Sequence, residues 1–152
     1  MRLWISLGSF ILALVLGTFI FSKLAGSNFS FGRRADVEID WRLLQGLDYV
    51  TGAAPKELQS LDGKMVKIPG FMVPLEDNSK LVTQFLLVPS PQACIHVPPP
   101  PPNQMLLINF KEGTDVLYGP IWVHGVLRIA PKRTMFGEAS FEVEATLTEP
   151  YE

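Results

Sequence analysis

The sequence predicts an all-β protein: a small five-stranded OB-like barrel preceded by one N-terminal transmembrane helix. Three observations carry this. Five runs rich in branched and aromatic residues lie between Leu61 and Leu147, with turn residues between them. The first run is long and interrupted by Pro69-Gly70, a bend of the kind that lets one strand close a five-stranded barrel. Ahead of all of them, Leu3 to Phe21 is a run of 19 residues without a charge. That length crosses a bilayer as a helix.

The run exceeds the hydrophobic region of a cleaved signal peptide, about 7–15 residues. Ala25-Gly26-Ser27 is a weak cleavage site, so retention is the preferred reading. No cysteine stands just after the run, which excludes a lipoprotein signal. Residues 1–22 are read as a signal-anchor helix, 23–39 as a polar juxtamembrane linker, and 40–152 as the β domain. Arg2 and the α-amino group on one flank, and Lys23, Arg33 and Arg34 on the other, leave the positive-inside rule undecided. The short N-terminus and long C-terminal domain favour a bacterial inner-membrane protein with its domain in the periplasm.

Asp40 is the N-cap of a short helix that puts Trp41 and Leu44 on one face, with Gly46 and Gly52 limiting its length. Ala53 to Leu58 reads as a turn or one helical turn. Asp62-Gly63 turns the chain into Lys64–Ile68, which resumes at Phe71–Leu75 beyond the bend. Glu76 to Ser79 is the next turn. Val82–Val88 is the second strand, Met105–Phe110 the third and Ile121–Ile129 the fourth. In the fourth, Ile121, Val123 and then Val126 or Leu127 face inward. Phe141, Val143, Ala145 and Leu147 alternate with Glu142, Glu144 and Thr146 in a fifth, half-buried strand.

A chain of 152 residues is long enough to bury a core. The net charge of −2 and scattered cations, adjacent only at Arg33-Arg34 and Lys132-Arg133, give no field for nucleic acid. The single cysteine makes no intramolecular disulfide. Asp62, Glu76, Asp77 and Asp115 sit at turns as solvated carboxylates. Nothing pairs them for acid–base work, so the sequence predicts a binding role and not an enzyme.

The densest chemistry is Cys94-Ile95-His96-Val97, followed by Pro98, Pro99, Pro100, Pro101 and Pro102, then Asn103 and Gln104. On an extended backbone, Cys94 and His96 point to one face. Thiolate and imidazole suit zinc or copper, with His124 as a candidate third ligand, since such sites need three or four. The competing reading makes Cys94 a small buried hydrophobe, His96 a hydrogen-bonded structural residue and His124 an exposed residue of the polar face. A thiol-redox role for Cys94, its pKa lowered by His96, lacks a resolving cysteine in the chain and needs a partner thiol. The prolines form a stiff strap of about 15 Å across the barrel mouth. Asn103 and Gln104 supply amides to the backbone around it. The strap doubles as an epitope for a protein partner.

The segment CIHVPPPPPNQ, with FLLVPSPQA before it, LDGKMVKIPGFMVPLE upstream and GPIWVHGVL downstream, resembles the uncharacterised bacterial envelope family called domain of unknown function 3299. The resemblance spans roughly residues 40 to 150. It implies an exported protein of a kind often lipidated or N-terminally anchored, some members being encoded beside ABC-transporter subunits of the lipoprotein-release or macrolide-export kind in clusters linked to zinc response; without the lipoprotein cysteine, anchoring here would be by helix. The motif covers Cys94, His96, the five prolines, Asn103 and Gln104, and leaves His124 outside it.

Overall fold

The computed structural model describes residues 36–76, 81–91 and 98–151. The predicted membrane helix, the linker up to residue 35, most of the 76–79 turn, and Cys94 and His96 lie outside the described residues. Among those described, no helix is long and apolar enough to cross a membrane.

Asp40 caps the first helix as expected. Its Oδ1 accepts the Leu43 N–H at 3.0 Å and starts α1 (Trp41–Gln45). Helix α2 (Lys56–Gln59) is the single turn anticipated after Pro55. Ahead of α1, β1 (Val37–Glu38) lies inside the stretch assigned to the linker and pairs parallel with the next strand. The barrel strands are β2 (Met65–Pro74), β3 (Leu81–Val88), β4 (Leu106–Asp115), β5 (Pro120–Arg128) and β8 (Phe141–Pro150). A hairpin, β6 (Lys132–Thr134) and β7 (Gly137–Ala139), is inserted between β5 and β8.

Neighbours run β2-β3-β4-β8-β5 and back to β2, so the five strands close into a barrel. Closure falls on β2. Met65 to Phe71 pair with β5, and Phe71 to Pro74 pair with β3. The bend between the two halves is the one the sequence placed at Pro69-Gly70. A Cβ on Gly70 would lie 2.7 Å from Leu87 Cγ and 2.9 Å from the Val88 carbonyl, so only glycine lets β3 approach. Trp41 seals the bend by donating Nε1–H to the Pro69 carbonyl at 2.6 Å.

Inward residues form one core, including Val66, Ile68, Phe85, Ile108, Val123 and Phe141. Leu44 and Leu58, fully buried from the two short helices, extend it at one end. Each contributes about 2 kcal/mol of apolar burial. Because β3 alternates, Phe85 and Leu87 face this core while Leu86 and Val88 face outward. The outward pair is also buried, in a second cluster with Met105, Leu107 and Ala139. A strand covered on both faces explains why Phe85–Val88 reads as an unbroken apolar run.

Two expectations need correction. In β8, Phe141 and Val143 are buried, but Leu147 is 45% exposed. The register passes from Gly125↔Ala145 to His124↔Leu147, so Thr146 is an extra residue in a bulge. One extra residue inverts the faces. Leu147 turns outward, and Thr148 bonds across to Thr114 at 2.7 Å. The bulge meets Gly125, where a Cβ would press on the Glu144 carbonyl and lie 2.7 Å from Val143 Cγ1. In β4, the strand resumes beyond Phe110 and ends at Asp115, with Gly113 at φ +75° in the irregular stretch between. Asp115, expected at a turn, is the last residue of the strand.

Gly125→Ala is expected to destabilise the domain by about 1–3 kcal/mol through overpacking against rigid backbone. A fall in the thermal midpoint followed by near-UV circular dichroism checks this, and an unchanged midpoint counts against the close approach.

Candidate functional site

The register gives the barrel two distinct ends. At one end β2, β4 and β8 begin and β3 and β5 finish. The proline strap, α1 and the β6–β7 hairpin all gather there. Pro98 and Pro99 are exposed, while Pro100, Pro101 and Pro102 are half-buried. Pro101 keeps the extended conformation, φ −61° and ψ 155°, and Pro102 starts a 3₁₀ turn, Pro102–Gln104. The strap is therefore extended at Pro101 and tied down from Pro102.

Asn103 and Pro102 fasten it. Asn103 Nδ2 donates to the carbonyls of Gln45 and Leu47, both at 3.0 Å. Gln45 is the last residue of α1 and Leu47 lies just past it, so one amide satisfies groups the short helix leaves open. The sequence predicts that the Asn103 and Gln104 amides serve the backbone around the strap; the Asn103 amide instead reaches across to the end of α1 and the residue beyond it. The Pro102 carbonyl accepts the Ser140 N–H at 2.9 Å, which binds the strap to the start of β8, and the Met105 N–H at 3.2 Å. Gln104 closes the turn, its N–H donating to the Pro101 carbonyl at 2.8 Å. Cys94 and His96 belong to the connection between Pro91 and Pro98, outside the described residues.

His124 lies on the outer face of β5, with its side chain 13% exposed. Nδ1 is 2.5 Å from Asp36 Oδ2, and Nε2 is 3.1 Å from Glu149 Oε1. An imidazolium donates to both carboxylates, and a neutral ring donates to one. The two carboxylates approach opposite nitrogens and do not converge on one point. Among the described residues, no group of three His, Cys, Asp or Glu could hold a metal ion. Asp36 is 88 residues from His124 in sequence, so no spacing could reveal the pair. Beside it, Lys67 bridges to Glu38 at 3.0 Å and sits 4.4 Å over the Trp122 ring, which packs on Tyr151.

Of the turn carboxylates, Asp62 accepts the Ile129 N–H, and Glu76 accepts from Thr83 N–H, Thr83 Oγ1 and Gln84 N–H. They brace turns. At the opposite end, Phe71, Met72, Val73, Val116, Leu117 and Tyr118 line an open groove of about 470 Å³.

The loop joining α1 to α2, which the strap clasps through Leu47, is organised by Asp48. The Thr51 hydroxyl donates to its Oδ2 at 2.7 Å, and the Thr51 and Val50 N–H groups donate to Oδ1. These bonds favour the charged form and hold the carboxyl below its usual 3.8.

A closed five-stranded β-barrel domain with a clamped proline strap at one end is the class of protein that fold and site define. The family model described as "Protein of unknown function (DUF3299)" matches residues 49–150. The chain belongs to this family. A crystal structure of a DUF3299 family protein from Pseudomonas aeruginosa PAO1 is similar to it at 32% identity, covering 78% of this chain and 97% of that one, with a TM-score of 0.64. No curated protein matches the chain.

Asn103→Ala is expected to cost about 1–3 kcal/mol by stranding two carbonyls. Asn103→Asp should cost more, because a carboxylate would face both carbonyl oxygens. Urea unfolding of the two variants checks the order. Since the folded pKa of Asp48 is lowered, its stabilisation is present above 3.8 and disappears as pH falls through the folded value. Thermal midpoints of wild type and Asp48→Asn should therefore differ at neutral pH and converge well below 3.8.

Proposed function

We propose that this protein is an inner-membrane-anchored accessory module of the bacterial envelope, its barrel in the periplasm and the 94–104 strap its working element. The strap binds zinc or copper through Cys94 and His96 and serves an ABC-type envelope transporter. The observation that carries this reading is the clamp. Asn103 and the Pro102 carbonyl fix the strap's C-terminal part to two other elements, while Pro98 and Pro99 stay exposed. A soft-ligand pair that leads into an anchored strap is a favourable place for capture.

The strand order, with β4 and β8 parallel, supports the OB-like assignment. OB-type barrels take oligonucleotides on their second and third strands. In this chain part of the outer face of the corresponding β3 and β4, at Leu86, Val88 and Leu107, is buried with Met105 and Ala139. With a net charge of −2, this favours a reading without nucleic acid.

For His124 to complete the ligand set, one carboxylate must leave it. Glu149, with its side chain 49% exposed, is the one free to swing away, whereas Asp36 is 16% exposed. A second chain is the other source of ligands. The exposure of Pro98 and Pro99 also supports a second reading, in which the strap is a docking epitope that needs no metal.

Metal content of the full chain in detergent, by elemental mass spectrometry, tests the proposal. Stoichiometric zinc or copper that disappears in Cys94→Ser is the expected result. Equal, negligible metal in both proteins overturns the metal reading and leaves the docking epitope.

A further inference from the structure

The β6–β7 hairpin carries two residues that the fold does not use. Thr134 pairs with Gly137, so Met135 and Phe136 are the whole two-residue connection. Such connections favour Asn-Gly, Asp-Gly or Gly-rich pairs, because their backbone must take unusual angles and face water. Here Met135 is 76% exposed and Phe136 41%. Neither belongs to either core cluster.

The tip is nonetheless well built. Thr134 Oγ1 donates to the Gly137 carbonyl at 2.8 Å and accepts the Phe136 N–H at 3.3 Å. At the base, Ala139 is fully buried, and the next residue, Ser140, bonds to the strap. An apolar tip is thus held out on a braced stem. Lys132 and Arg133 flank it, both exposed, with Lys132 3.2 Å from Glu142 and Arg133 opposite Glu138 in register.

The hairpin links the last residue of β5 to the first of β8, so it projects from the strap end of the barrel. Strand β1 starts toward that same end, because it runs parallel to β2 with Val37 opposite Val66 near the start of β2. The 14 residues between Phe21 and Asp36 span at most about 50 Å. That reach lets the membrane lie against the end of the barrel that holds out the apolar tip.

We infer that Met135 and Phe136 insert into the surface of the bilayer that holds the anchor, with Lys132 and Arg133 at headgroup level. This rests on the membrane-anchored reading above. Long apolar side chains beside cations suit the boundary between headgroups and acyl chains. A hairpin seated there would fix the strap end close to the membrane, giving the tethered barrel a defined orientation.

The test uses the full chain reconstituted in vesicles of phosphatidylethanolamine and phosphatidylglycerol. A nitroxide is placed at Met135→Cys, or at Tyr118→Cys on the opposite end, in a Cys94→Ser background. Power saturation compares access of oxygen, which concentrates in lipid, with access of a water-soluble nickel chelate. The expected result is an oxygen-to-nickel ratio several-fold higher at 135 than at 118, where the native residue is 96% exposed. Equal ratios at the two positions overturn the inference and leave the anchor reading intact. A label at 135 shielded from both reagents indicates a protein surface and also overturns it. A chain that does not float with the vesicles removes the anchor and the insertion together.

Discussion

The architecture depends on one strand serving two neighbours. Strand β2 gives its first half to β5 and its second half to β3, and Phe71 is paired on both sides. A strand can do this only by bending, and the bend requires a residue with no side chain where β3 crosses closely. Gly70 meets that demand. Pro69 has no N–H to lose there, and its carbonyl is covered by Trp41. Without this bend the five strands would form an open sheet with two exposed edges.

The strap end is where distant parts of the chain are tied together. Carbonyls of residues 45 and 47, the turn at 102–103 and the N–H of Ser140 meet through one amide and one carbonyl. Each of these bonds is modest, about 1 kcal/mol. Their joint effect is geometric: α1, the strap and the start of β8 keep fixed relative positions. The His124 cluster does a related job on the barrel wall, where it fastens the first described residue, Asp36, and the end of β8 to β5.

Local signals were legible in the sequence where they were complete in themselves. Asp40 announced α1, Asp62-Gly63 the turn before β2, and Pro69-Gly70 the bend. The amide of Asn103 was expected to serve its own strap, and its partners at residues 45 and 47 lie too far away in sequence to be foreseen. Non-local features were hidden. The bulge at Thr146 depends on the partner strand, so the alternation of β8 was extended to Leu147 one step too far. The continuation of β4 past Phe110 was masked by Lys111, Glu112 and Gly113. Asp36 and Glu149 became partners of His124 only through the barrel's closure. The hairpin offered Lys132-Arg133 and Gly137 as signs, but three-residue strands fall below the length at which alternation can be read.

Burial of both faces of β3 has a consequence for how the chain matures. Its outer cover comes from Met105, Leu107 and Ala139, residues made 17 to 51 positions after Val88. Until those arrive and the parallel β4–β8 pair forms, Phe85-Leu86-Leu87-Val88 is an apolar stretch without a lid. Such segments pair readily with copies of themselves. Pro89 and Pro91 stand immediately after it, where they cannot donate to a growing ladder. They act as gatekeepers on the nascent chain, limiting how far an intermolecular sheet seeded at β3 can spread before the barrel closes.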